Sequence, residues 1–106
     1  MGVLILKRIL ILKLLEMITR KEIFETLVEM IADCVVELKV FPAEITENMR
    51  LKNDLGADSM DIAELAMECE RRYRIVIKDP EFEQATTVGK LMDLIADRIN
   101  NIGYGK

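Results

Sequence analysis

A serine between two aspartates is the residue of this sequence best placed to do chemistry. It lies in the segment Asn-Asp-Leu-Gly-Ala-Asp-Ser-Met-Asp, where Gly56 presents it on a loop and Asp58 can cap a helix that starts with Ser59. Free backbone N–H groups and the positive end of the helix dipole make such a place tolerant of an attached phosphate. Because the chain has no His, and no Lys stands beside it, Ser59 lacks a base of its own. Another protein must therefore activate it.

The missing residue types exclude most other catalytic sites. Without His there is no Ser-His-Asp or Cys-His arrangement and no imidazole ligand for zinc. The spacing of Asp54, Asp58 and Asp61 does not fit a calcium-binding loop, so we predict no metal site. Cys34 and Cys69 cannot form a four-thiolate site, and their spacing does not match a CxxC redox motif. We expect two reduced, buried thiols.

The charge balance disfavours nucleic acid as a partner. The 106 residues include 15 Lys and Arg against 19 Asp and Glu, a net charge of −4. Phosphate backbones require compensating cations, so an acidic protein should bind basic partners instead. With 51% hydrophobic residues, the chain has enough apolar material for a compact core.

Residues 1–18 differ from the rest and form a hydrophobic N-terminal extension of uncertain status. Their charged residues are Lys7, Arg8, Lys13 and Glu16, and without them the remaining chain has a net charge of −6. The longest apolar runs are four residues, far short of the roughly 20 that span a bilayer, so no transmembrane span is predicted. The charge positions fit neither a signal peptide nor an amphipathic surface helix. A start at Met17, or a contact with a membrane or a partner, stays open.

Two long helices are predicted after this extension. Thr19-Arg20-Lys21-Glu22 fits a capping box, and an apolar stripe at helical spacing follows it to about Leu38. Phe41-Pro42 then breaks the helix, and a loop extends to about Ala57. The second helix is capped by Asp58 and ends near Arg74.

The remaining elements are shorter. Ile75-Val76-Ile77 is predicted to be a buried connector, since three residues without a partner strand cannot form a sheet. Asp79-Pro80-Glu81 predicts a short helix, and Thr86-Thr87 caps the last helix. Residues 101–106 should fray. The sequence therefore predicts an all-α fold with three main helices and one short helix.

The segment Asp54–Asp61, followed by Glu64-Leu65, resembles the prosthetic-group attachment motif of the acyl carrier proteins. The flanking sequences Glu44-Ile45-Thr46, Tyr73–Ile77 and Thr86–Gly89 agree with the same family. The similarity covers residues 19–100, which we identify as an acyl carrier domain. It implies an acyl-carrier-like four-helix bundle.

The resemblance implies a bacterial, cytoplasmic carrier that is not itself an enzyme. Ser59 would be joined to 4′-phosphopantetheine, which a separate holo-synthase donates from coenzyme A. The thiol of this arm would hold acyl chains as thioesters during fatty-acid or related lipid biosynthesis. We expect a monomer. The residues expected to line the acyl cleft are Leu65, Cys69, Ile75, Ile77 and Leu91.

The resemblance also implies that residues around the second helix meet basic patches on the holo-synthase and on acyl-processing enzymes. The residues expected in partner recognition are Asp54, Asp58, Met60, Asp61, Glu64 and Glu70. Arg71 and Arg72 depart from the family pattern, which continues with acidic residues, and Cys69 replaces a common leucine. These departures leave open a specialised lipid or secondary-metabolite role.

Other functions also stay open. A carrier for polyketide intermediates is one alternative, and a peptidyl or aminoacyl carrier is another, although those usually have Gly-Gly where this chain has Gly56-Ala57. The third is an unmodified helical adaptor that docks through its acidic face. In that case Ser59 only stabilises the helix start.

Overall fold

The computed structural model describes the backbone of residues 2–103 and the side chains of residues 2–14 and 19–99. Over this part of the chain no strand is formed, and an isolated antiparallel bridge joins Arg50 to Thr87. The all-α prediction is confirmed. The elements are α1 (Gly2–Cys34), a 3₁₀ turn (Pro42–Glu44), α2 (Ser59–Tyr73), α3 (Asp79–Gln84) and α4 (Val88–Gly103).

The helix α1 is longer at its start, and shorter at its end, than the sequence predicts. Its backbone passes through Thr19 without interruption, so the predicted capping box at Thr19–Glu22 is wrong. The preceding Leu, Ile and Lys residues are compatible with helix, and no Gly or Pro stands between residues 3 and 34 to stop it. The helix ends at Cys34 rather than Leu38, where the β-branched pair Val35-Val36 lowers helix propensity.

The second half of α1 packs antiparallel against α2. Near the end of α1, burial and then the carboxylates of Glu64 and Glu68 raise the pKa of the Cys34 thiol. At the other end of α2, the Tyr73 hydroxyl lies close to Thr26 of α1 without meeting hydrogen-bond geometry. The start of α2 therefore lies beside the end of α1.

One apolar core joins α1, α2 and α4. Both cysteines are buried and free, as the sequence predicts. Burial raises the pKa of Cys69 to about 12, which keeps this thiol protonated and unreactive at neutral pH. The most completely buried side chains of the core are Leu27, Met30, Ile31, Leu55, Leu65, Cys69, Val88, Leu91, Met92 and Ile95.

The short elements largely follow the predictions. The connector after α2 buries Ile75 and Ile77 but leaves Val76 exposed, so it is buried only on one side. Thr87 caps α4, because its Oγ1 accepts the N–H of Lys90 at 3.1 Å. The helix α4 extends to Gly103, so its backbone is helical over the first three residues of the segment predicted to fray, and the fraying stays a prediction. Glycine is common where helices end. Residues 104–106 lie outside the described part of the chain.

Candidate site at the start of α2

Two aspartates fix the first turn of α2 around Ser59. Asp58 Oδ1 accepts the N–H of Asp61 at 2.8 Å, and Asp61 Oδ2 accepts the N–H of Asp58 at 3.1 Å. This reciprocal capping box satisfies backbone donors that a helix start leaves free. The sequence identified Asp58 as the cap, and the structure adds that Asp61, only 6% exposed, completes the box.

The side chains of Ser59 and Met60 are exposed between these two aspartates. Ser59 is the first residue of α2, where the helix dipole favours negative charge. Its hydroxyl is therefore presented to solvent from a fixed backbone. This arrangement suits modification by another protein, since no His is present to activate the hydroxyl within the chain.

Gly56 shapes the turn that leads to Ser59. Its φ of +85° lies in the left-handed region that favours glycine. A Cβ at this position would lie 2.9 Å from Lys39 Cγ and 3.0 Å from the backbone oxygen of Glu37. The Gly56 N–H also donates to the Lys52 carbonyl at 3.1 Å. Both the backbone conformation and the space therefore require glycine here.

Asp54 closes the turn at residues 50–54, which comes just before Gly56. Its Oδ2 accepts the backbone N–H of Arg50 at 2.7 Å and lies 3.6 Å from Arg50 Nε. The backbone hydrogen bond and the nearby guanidinium lower the pKa of Asp54. This carboxylate thus has a local structural role in the loop.

The loop before Ser59 is attached to the start of α4. The Leu51 N–H donates to the Thr86 carbonyl at 3.0 Å, and the Gly89 N–H donates to the Glu47 carbonyl at 2.8 Å. Arg20 of α1 bridges Glu47 and Asp93, with both ion-pair distances at 2.7 Å. These contacts hold the loop against two helices and so restrict the position of Ser59.

A cavity of about 470 Å³ opens beside the first turns of α2. Ile62 reaches it one helical turn after Ser59, on a neighbouring part of the same face. The five residues predicted to line an acyl cleft are instead all buried in the core, and none borders this cavity. Their cleft role stays a prediction. The residues that line the cavity are Arg50, Leu51, Lys52, Asn53, Ile62, Phe82, Glu83, Ala85 and Thr86.

The six residues predicted for partner recognition do not share one exposed surface. Asp58, Met60 and Glu64 are exposed, with Met60 75% exposed. Asp61 is buried, and Glu70 is half-buried with its Oε2 accepting the N–H of Ile77 at 2.9 Å. No sequence pattern signals this hydrogen bond, since its partners stand seven residues apart on different elements. The recognition role of all six stays a prediction.

Glu68 partly neutralises the basic end of α2. Its carboxylate lies 2.8 Å from Arg71 and 3.9 Å from Arg72. Spacings of three and four residues bring such side chains together on a helix. Met67, 56% exposed, lies on the same helix between Glu64 and Arg71. The exposed surface of α2 thus changes from acidic to basic along its length.

Asp58→Ala is expected to lower the free energy of unfolding by about 1 kcal/mol, because it removes the helix cap and half of the capping box. Urea unfolding followed by circular dichroism measures this change. Asp58→Asn is the matched control, because an Asn side chain can still accept the Asp61 N–H and should retain most of the stability. Equal stability of the Ala and wild-type chains would contradict the capping role.

Comparisons with known proteins agree with this site. A family model described as the phosphopantetheine attachment site matches residues 25–95. The acyl carrier protein of Amoebophilus asiaticus is 42% identical over 78 residues, which cover 74% of this chain and 94% of the relative. The chain belongs to the acyl carrier protein family. The resemblance noted from the sequence is thereby confirmed, and 4′-phosphopantetheine is the prosthetic group of this family.

Other members of the carrier family support the assignment. The acyl carrier protein of Thermotoga maritima is 32% identical over 83 residues, which cover 78% of this chain and 99% of the relative. A solved structure of the acyl carrier protein from Enterococcus faecalis matches with a TM-score of 0.63 and 26% identity, covering 74% of this chain and 96% of that chain. This neighbour confirms the acyl-carrier-like helical fold.

Proposed function

We propose that this carrier holds acyl groups as thioesters on a 4′-phosphopantetheine arm attached to Ser59. The supporting observation is the exposed Ser59 hydroxyl on the first residue of α2, next to a complete capping box. Ser59 is also the only serine in the sequence. The carrier domain proposed at residues 19–100 contains the whole segment that matches the family model.

The residues around Ser59 fit a phosphodiester. A helix start offers backbone N–H groups and a positive dipole end to a negatively charged group. The carboxylates of Asp58 and Asp61 already accept backbone N–H groups of the first turn, which partly compensates their charge. The arm itself supplies the thiol for the thioester. The chain's own contribution is to present the hydroxyl in a fixed position.

We further propose that the cavity lined by Ile62 of α2 receives part of the acyl chain. Leu51, Ile62, Phe82 and Ala85 give it an apolar lining, and Ile62 stands one helical turn after Ser59. Burying methylene groups against such side chains is favourable, at about 0.8 kcal/mol for each group. The mixed lining, which includes Arg50 and polar groups, is consistent with an entrance that opens to solvent.

Exposed residues at the start of α2 are proposed to guide partner enzymes. Asp58, Met60 and Glu64 can contact a basic patch with an apolar centre on the holo-synthase or on an acyl-processing enzyme. Exposed ion pairs add little affinity, but they steer encounter and suit transient complexes. Asp54, Asp61 and Glu70 would support this surface from within the loop and the helix. We place this role in cytoplasmic fatty-acid or related lipid biosynthesis.

Mass spectrometry of the intact chain tests the proposed attachment. The unmodified protein is incubated with coenzyme A and a broad-specificity holo-synthase, and a sample without synthase serves as the control. We expect a mass gain of one phosphopantetheine group, with peptide fragmentation locating it on Ser59. No gain on the folded chain would contradict the proposal. Identification of the acyl group on protein isolated from its own cells would then define the pathway.

A further inference from the structure

The first turns of α1 form an apolar helix that no other element of the described part of the chain covers. Every Leu, Ile and Val side chain between residues 3 and 14 is exposed, at 44% to 67%. Helices that are apolar on all sides are normally surrounded by other apolar material, in a protein core or in lipid. Apart from three cations, this part of α1 presents apolar side chains on every side, which favours a partner that can surround it.

The charges of this segment favour an anionic partner. Lys7, Arg8 and Lys13 are its charged residues, and residues 2–14 contain no Asp or Glu. At 100° per residue, the three cations lie on different sides of the helix and define no single polar face. Association of two such segments would bring more cations into an apolar contact without adding an anion. Anionic lipid headgroups supply both the apolar environment and the compensating charge.

The length of the segment fits partial insertion. Thirteen residues form a helix of about 20 Å, at 1.5 Å per residue, against about 30 Å for the hydrocarbon core of a bilayer. Within the described residues, no helix meets the length and hydropathy required to cross a membrane. Lys and Arg side chains can extend from an inserted helix to the headgroups while their methylene groups stay in the apolar layer.

The end of the bundle nearest this segment also carries cations. Because α2 is antiparallel to α1, its last turn lies toward the segment and Ser59 lies at the opposite end. Arg71, Arg72 and Arg74 are exposed at that last turn, with Glu68 pairing to the first two. Three carboxylates lie at the same end: exposed Glu22 offsets part of this charge, and Glu47 and Asp93 each pair with Arg20 of α1. The basic end of α2 can therefore face the same anionic surface.

We propose that residues 2–14 anchor this protein to an anionic membrane surface. The apolar helix enters the outer part of one leaflet at an angle, and its three cations meet the headgroups. The basic end of α2 approaches the surface, while the start of α2 points away from it. Ser59 then stays accessible to partner enzymes.

Sedimentation of the full chain with lipid vesicles tests this anchor. We expect binding to phosphatidylcholine vesicles that contain phosphatidylglycerol, and weaker binding to phosphatidylcholine alone. A chain with K7Q, R8Q and K13Q should bind the anionic vesicles about 100-fold more weakly, since each cation contributes near the surface. A chain with L6Q and L10Q should also lose binding, because both side chains are exposed only until lipid covers them.

V36Q is the matched control for the apolar substitutions. Val36 is exposed just beyond the other end of α1, so this variant should bind vesicles like the wild-type chain. Equal binding by the triple Lys and Arg variant, or no binding of the wild-type chain, would overturn the proposal. A lipid-free dimer in analytical ultracentrifugation that L6Q and L10Q abolish would overturn it in favour of a second copy. The Ser59→Ala chain should bind vesicles normally, which separates this result from that of the proposed attachment.

Discussion

Ser59→Ala is expected to abolish the mass gain from coenzyme A and holo-synthase completely. The substitution removes the only serine hydroxyl of the chain. It should leave the fold intact, because the side chain is exposed and Asp58 and Asp61 still form the capping box. Alanine also has high helix propensity. Loss of modification would therefore report the missing attachment atom rather than unfolding.

Met60→Ala is the neighbouring control for this experiment. It removes an exposed side chain next to Ser59 but leaves the hydroxyl in place. We expect it to gain the full mass, at a slower rate if Met60 contacts the synthase. An equal gain on Ser59→Ala would show that another residue is modified. Unchanged circular dichroism spectra of both variants would verify that they are folded.

Leu65→Ala is expected to lower the free energy of unfolding by about 2–5 kcal/mol, the range for truncating a buried Leu. Leu65 is 0% exposed, on α2 and within the core shared with α1 and α4. Its truncation removes apolar contacts and leaves a cavity that the neighbours fill only in part. Urea unfolding measures the change. In a domain with about 5–15 kcal/mol of stability, a loss of this size is large.

Met67→Ala is the matched control for Leu65→Ala, because it shortens an exposed side chain on the same helix. Its stability should change by no more than about 0.5 kcal/mol. A loss below about 1 kcal/mol for Leu65→Ala would fall outside the usual range for a packed core position. That result would favour the acyl-cleft role predicted for Leu65 from the sequence, because a side chain beside an open cleft has fewer packing contacts to lose.

The limits of α2 could be predicted from the sequence because local interactions determine them. The Asp58 side chain bonds a backbone group only three residues away, and Gly56 supplies a positive φ just before it. At the other end, Arg74 adopts a left-handed conformation with φ of 54°, and its N–H donates to the Glu70 carbonyl. Each contact joins residues that are close along the chain. The attachment motif lies within this local structure.

The start of α1 and the cavity could not be predicted in the same way. A capping box at Thr19 competes with continued helix, and the apolar residues before it favour the helix. The cavity depends on packing between the loop at residues 50–53, α2 and the segment that includes Phe82. Those segments are distant along the chain, so hydrophobic spacing within one helix does not reveal the space between them.

The continuity of α1 leaves no flexible joint between its first turns and the rest of the bundle. Because no Gly or Pro interrupts residues 3–34, the direction of the first turns sets the direction of the whole bundle. Arg20 ties the same helix to the loop that leads to Ser59. On a membrane, the angle at which the first turns enter would set the tilt of the bundle. Partner enzymes would then meet Ser59 at a limited distance from the membrane, no more than about 30 Å, given 1.5 Å per residue from residue 14 to residue 34.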